Sequence, residues 1–130
     1  MFLQHAGPSA NSAVVTAAKM RKWATSRGIL IIHALIDTSK SPFGTCRDAN
    51  RYKTIVATMV SSGTSDEPVS LIDRAGADEL TFVRRPGYIS ALKSPGLMEF
   101  LHEKGIESLI LTGLSTSCCV LRTALQATDE

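Results

Sequence analysis

The residues richest in chemistry stand near the carboxyl end. Leu109-Ile110-Leu111-Thr112-Gly113-Leu114-Ser115-Thr116-Ser117-Cys118-Cys119-Val120 reads as a buried strand, a tight turn and the start of a helix. Gly113 permits the reversal, and the hydroxyl residues after it suit a helix cap. Cysteine then falls in the first helical turn, where unpaired N–H groups and the positive end of the helix dipole favour a thiolate. The same N–H groups suit an oxyanion formed by attack on a carbonyl. A nucleophilic cysteine needs this arrangement. The plain alternative is that these cysteines are small buried residues, whose apolar surroundings raise the thiol pKa; spacing alone leaves both readings open. A phosphatase loop fits poorly, because Arg122 follows the cysteines too closely for intervening amides to cradle a phosphate. A nucleotide loop fits poorly too, since the turn holds a single glycine.

Other reactive side chains are scattered. Asp37 closes the apolar run Leu35-Ile36 and is expected to accept the backbone N–H of Ser39 as a loop starter. Arg84 and Arg85 follow another apolar run and read equally well as solvated cations at a strand end. His33 lies inside an apolar run, which favours a hydrogen-bonded core histidine over a Cys–His dyad. His5 and His102 read as surface residues, and Trp23 as packing. Cys46 sits in a polar loop without an evident partner. Three cysteines are an odd count without a C-x-x-C pair, which indicates neither a disulfide framework nor a zinc site. No metal and no cofactor are expected, and the free thiols suit a reduced, cytoplasmic setting.

These residues need elements to hold them. The chain has 130 residues, 44% hydrophobic and 20% charged, with 14 basic against 12 acidic side chains and a net charge of +2. That balance gives no electrostatic footprint for nucleic acid or anionic lipid, and the apolar content is too high for a disordered chain. No apolar run approaches the roughly 20 residues that span a bilayer, and Met1-Phe2-Leu3-Gln4-His5 lacks the form of a signal peptide. A cap cluster at Pro8 to Ser12 opens a helix whose apolar positions include Ala13, Val14, Ala17, Met20 and Ala24. Arg27-Gly28 ends it, and Ile29 to Ile36 is a strand covered on both faces. A second helix spans about Ala49 to Met59, and Leu80 to Val83 is a further strand. Ser94-Pro95 opens a helix with Leu97, Phe100 and Leu101 inward, Lys104-Gly105 ends it, and Ile106 to Leu111 is the next buried strand. Twice the order is helix, basic residue, glycine, isoleucine and apolar strand. That is the grammar of α/β units on a parallel sheet, with ligands at the carboxyl ends of the strands.

The stretch Thr112 to Asp129 resembles the signature of the isochorismatase-like cysteine hydrolases, which include nicotinamidases, N-carbamoylsarcosine amidohydrolases and isochorismatases. That signature is a Gly-hydrophobic-small-Thr turn, a Cys-Val pair and a Thr-Ala-x-x-Ala helix. The resemblance implies that Cys119, before Val120, is the nucleophile, and that Cys118 occupies a variable position. It implies a cis peptide at Leu114–Ser115 and oxyanion donors at the N–H groups of Ser115 and Cys119. Upstream, Arg84-Arg85-Pro86-Gly87-Tyr88-Ile89-Ser90-Ala91-Leu92 resembles the family's Lys…Ser-Ala-Phe segment. Arg85 is the match to its lysine, with the spacing to Ser90 one residue longer than usual. Arginine there holds a thiolate's charge but does not titrate. The likeness is specific from about Leu80 onward; from Ala13 to Ile36 it rests on the helix-Gly-Ile-strand form alone. No Asp-x-His cluster corresponds to the nicotinamidase metal site.

The fold implied is α/β, a three-layer αβα arrangement on a mostly parallel, Rossmann-like sheet. The family's third catalytic residue is an aspartate at the end of a first strand, in an Asp-x-Gln-x-x-Phe type segment. Met1-Phe2-Leu3 resembles the residues just after that aspartate, so residues 1–130 are expected to form one domain truncated at both ends and incomplete relative to the family. The absent strand belongs between the Ile29 and Ile106 strands. Asp37 is a poor substitute, because a full helix precedes its strand. The expected function is hydrolysis of a C–N bond in a small amide through a Cys119 thioester, impaired for want of the aspartate. The alternatives are a non-catalytic module of the same fold that forms homo-oligomers through an open sheet edge, and a nucleotide-binding α/β domain. Neither nucleic acid nor membrane is an expected partner.

Overall fold

Helix α1 spans Ala10–Ser26, strand β1 Ile31–Ile36, helix α2 Ala49–Ser61 and strand β2 Glu79–Arg84 in the computed structural model of the chain. A 3-10 turn at Ala91–Lys93, helix α3 at Leu97–Glu103, a π-type turn at Thr116–Val120 and helix α4 at Leu121–Ala127 complete the order. The structure describes residues 7–47, 49–61, 70–72, 79–113 and 116–130. Among them, no helix is long and apolar enough to cross a membrane. The chain divides into two compact units, one of Met1–His33 with Asn50–Thr81 and one of Ala34–Ala49 with Phe82–Glu130.

In the first unit α1 begins three residues before its apolar stripe, at the buried Ala10. Ser9 precedes it with helical dihedrals and makes no side-chain cap. Instead the hydroxyls of Ser12 and Thr16 donate back to the carbonyls of Ser9 and Ser12. The helix ends as its residues predict. Arg27 is the last, half-helical position and Gly28 takes φ +64°. The N–H of Gly28 donates to Thr25 O and that of Ile29 to Ala24 O, the pair of bonds that closes a Schellman motif. Trp23, expected to pack, is half exposed, with the Arg27 guanidinium 5.5 Å from its ring centroid.

Glu79 opens β2 and organises this unit. Its Oε1 accepts from Arg21 Nε at 2.6 Å, and its Oε2 lies 2.9 Å from His33 Nε2. The three side chains are only 18%, 5% and 11% exposed for Arg21, Glu79 and His33. His33 is therefore a hydrogen-bonded interior histidine, as its place in an apolar strand predicts.

β1 and β2 form a two-stranded sheet. His33 meets Glu79 near the start of both strands, and Asp37 N donates to Arg84 O at 2.8 Å at their ends, so the pairing is parallel. A two-stranded sheet covers little, and β1 is partly exposed along its whole length rather than covered on both faces. Helices with a parallel pair are compatible with the α/β class.

In the second unit the buried apolar side chains include Leu92, Leu97, Leu101, Pro42 and the fully buried Pro86. Phe82 of β2 packs on Phe100 of α3 with ring centroids 5.7 Å apart. α3 starts two residues later than Ser94-Pro95 suggested. Gly96, in the left-handed region at φ +79°, is its cap, and Ser94 offers its carbonyl to Leu97 N. The Ser94 hydroxyl is buried with no partner among the described residues. Gly105 then repeats the ending of α1: φ is +62°, its N–H donates to His102 O, and Ile106 N donates to Leu101 O.

Beyond Gly105 the chain departs from expectation. Ile106 to Leu111 runs on without helix or strand structure. Ile106, Leu109 and Ile110 are 36%, 39% and 71% exposed. The apolar pattern of a buried strand is present, but among the described residues no neighbouring strand supplies the ladder that would bury it.

Candidate active site

Cys119 lies in the π-type turn Thr116–Val120, which runs directly into α4. Cys119 is half buried in this turn. Thr123 fixes it from four residues on. Its hydroxyl donates to Cys119 O at 2.8 Å and accepts the Ala91 N–H at 2.9 Å. Thr123 is buried, so this one side chain ties the cysteine turn to the Ser90–Leu92 segment. There Ser90 Oγ accepts from Leu92 N at 3.2 Å. The two blocks that carry the family likeness are therefore bolted together by the threonine of the second.

The cation beside the cysteine is Arg84. It ends β2 and is 4% exposed. Its Nη1 donates to Ala34 O at 3.1 Å and to Leu35 O at 3.4 Å, its Nε to Tyr88 O at 3.1 Å, and its Nη2 to Cys119 Sγ at 3.8 Å. Three backbone carbonyls thus hold a buried guanidinium through Nε and Nη1, and Nη2 is turned to the sulfur. No carboxylate is among those partners, which leaves its charge free to act on the thiol.

Arg85, the sequence match to the family lysine, is placed differently. Its Nε donates to Ser41 O at 3.1 Å, and its guanidinium lies 4.3 Å from the centroid of the Phe43 ring. Strand alternation is the signal that separates the two arginines. Phe82 and Arg84 share the inward face of β2, with Thr81 and Val83 outward. Arg85 is one residue on, just past the strand.

The thiol itself is not activated by its surroundings. Burial pushes the Cys119 pKa up and the neighbouring Cys118 adds to this, while Arg84 pulls it down. The net direction is upward, so the proton stays on sulfur near neutral pH. Asp37 is committed elsewhere. Its carboxylate accepts the Ser39 N–H at 3.0 Å, as expected of a loop starter, together with the Ser39 hydroxyl, and lies 3.3 Å from Lys40 Nζ. The Ser39 hydroxyl foremost, with the Ser39 N–H and Lys40, holds its carboxyl below the usual range, which makes it a weak base. Cys46 Sγ lies against Gly87, beside the Phe43 ring. Leu114 and Ser115, the positions expected to carry the cis peptide and one oxyanion donor, lie outside the described residues.

The isochorismatase domain family matches residues 2–130. The chain belongs to that family. Neither a curated protein nor a solved structure matches it. In this isochorismatase-family chain the described geometry adds two residues that sequence reasoning missed. Arg84 is legible from the strand period, and Thr123 from the habit of a helical threonine to bond the carbonyl four residues back.

Proposed function

We propose that this chain is a hydrolase of C–N bonds in small amides, working through a Cys119 thioester, with Arg84 as the charge partner of the sulfur. The observation that carries the reading is the Arg84 Nη2 to Cys119 Sγ approach of 3.8 Å from a guanidinium fixed on three carbonyls. In this scheme the Cys119 thiol gives up its proton and the sulfur bonds to the amide carbon. The C–N bond breaks, and the amine leaves with a proton. Water then cleaves the thioester to the carboxylic acid and restores the thiol. The N–H of Cys119, with that of Ser115, takes the role of oxyanion donor. The fold that goes with this chemistry is a three-layer αβα, Rossmann-like domain.

The same reading makes the chain a weak catalyst. The groups that shift the thiol are Cys118 and Arg84, beside burial, and no carboxylate is among them. Among the described residues the sulfur therefore has a charge partner but no base. The test is turnover of a panel of primary amides and N-carbamoyl compounds. Slow hydrolysis abolished by Cys119→Ala and retained by Asp37→Ala is expected; hydrolysis that survives Cys119→Ala sinks the thioester. The raised thiol pKa also has a sign. A folded-state pKa above the unfolded one contributes stability that is present below the unfolded value, about 8.5, and is lost as pH rises through the folded value. The free energy of unfolding should fall above about pH 8.5, and less steeply in Cys119→Ala, as read by urea unfolding across pH.

The exposed run of Ile106, Leu109 and Ile110 favours a second reading, a module that self-associates through this segment. Sedimentation decides it: a monomer at all concentrations removes it.

A further inference from the structure

We propose that Phe43 and Gly87 are positioning residues that aim Arg84 at Cys119. The inference rests on the reading of Cys119 and Arg84 given above. One of the three carbonyls that hold the Arg84 guanidinium belongs to Tyr88. That carbonyl is not in a strand. It closes the four-residue turn Arg85-Pro86-Gly87-Tyr88, in which Tyr88 N donates to Arg85 O at 3.3 Å. Where the turn sits therefore decides where the guanidinium points.

Phe43 holds three of the four turn residues. Its ring is 4.3 Å from the Arg85 guanidinium and meets the Tyr88 ring edge-on, with centroids 5.0 Å apart. It also fills the space over Gly87, where an added Cβ would lie 2.8 Å from Phe43 Cδ2 and 2.8 Å from Cys46 Sγ. Gly87 takes φ +106°, so a side chain is disfavoured by the backbone as well as by the neighbours. The fourth residue, Pro86, is fully buried. The Phe43 segment is itself anchored, since Cys46 N donates to Phe43 O at 2.9 Å and Arg85 Nε to Ser41 O at 3.1 Å. Arg85 thus serves the site from the outside of the turn, pinning it on the aromatic ring, while Arg84 serves it from within.

The experiment is alkylation of Cys119 by iodoacetamide as a function of pH, in a Cys118→Ser background, with the Cys119 peptide read by mass spectrometry separately from that of the other free thiol, Cys46. Arg84→Met should move the profile to higher pH and lower the rate at pH 8 by roughly tenfold. Gly87→Ala should move it the same way by about half a pH unit, roughly a threefold loss at pH 8. Phe43→Leu should give about a twofold loss, and Phe43→Tyr, which keeps the ring, should restore the parent profile. In the Arg84→Met background, Gly87→Ala and Phe43→Leu should add nothing, because they act through Arg84. Should Gly87→Ala fail to fold, the Phe43 pair carries the test. Folded variants with an unmoved profile, or equal shifts with and without Arg84, overturn the inference. An Arg84→Met variant with the parent profile instead removes the role given to Arg84 itself, so the two failures are distinguishable.

Discussion

Two stretches of this chain are built alike and end differently. Trp23 to Ile36 and Phe100 to Leu111 both run from a helix through a basic residue, a glycine and an isoleucine into an apolar run. The helix endings share their closing bonds, with glycine at φ +64° and +62°, its N–H returned to a carbonyl three residues back, and the following isoleucine N–H returned to one five residues back. Beyond them, Ile31–Ile36 pairs with β2, whereas Ile106 to Leu111 pairs with no strand among the described residues. A helix stop is a local event, decided by one residue's dihedrals and two short-range bonds. A strand is not, because its hydrogen bonds and its burial both come from residues distant in sequence. The first stretch has such a partner, and the meeting of His33 with Glu79 and Arg21 marks where it docks.

The largest effect should come from removing that docking. Glu79→Gln leaves Arg21 and His33 facing an uncharged amide in a site where Glu79 is 5% exposed. Breaking a buried ionic cluster at one member costs roughly 3 kcal/mol, readable as a lower urea midpoint. A loss below about 1 kcal/mol would mean that the cluster does not separate the two stretches. Next comes a pair of truncations in the second stretch. Leu101 is 5% exposed and Ile110 is 71% exposed. Leu101→Ala should cost about 2 kcal/mol through the cavity it leaves, and Ile110→Ala should stay within about 0.5 kcal/mol. A cost above about 1 kcal/mol for Ile110→Ala, growing with protein concentration, would show that a second copy covers the segment in solution.

The same contrast explains what was legible in the sequence. α1, α2, β1, β2 and both glycine stops lie within about two residues of where periodicity and the glycines put them, because those signals are local, although Ser9 makes no side-chain cap and β1 begins at Ile31 rather than Ile29. The onset of α3 moved from Pro95 to Leu97, since Gly96 takes the left-handed conformation at φ +79° and forces the chain to turn before the helix begins. The site was half legible. The family likeness singles out Cys119 and Arg85, but strand parity turns Arg84, not Arg85, toward the sulfur. Arg84 shares the Phe82 face, and Arg85 meets Phe43 from a distant part of the sequence, which no local pattern reports. Asp37 bonds Ser39 as expected, because that contact spans two residues.

The smallest effect tests the part of the comparison that is held to be equal. An added Cβ meets nothing within 4 Å at Gly28 or at Gly105. Replacement by alanine therefore costs only the left-handed backbone, about 1 kcal/mol at each site. Gly28→Ala and Gly105→Ala should lower the urea midpoint alike, even though one precedes a paired strand and the other an unpaired run. A markedly greater cost at Gly28 would mean that the helix stop there also sets the register of β1. The ending would then be a part of the sheet, and the two stretches would differ from their glycines onward.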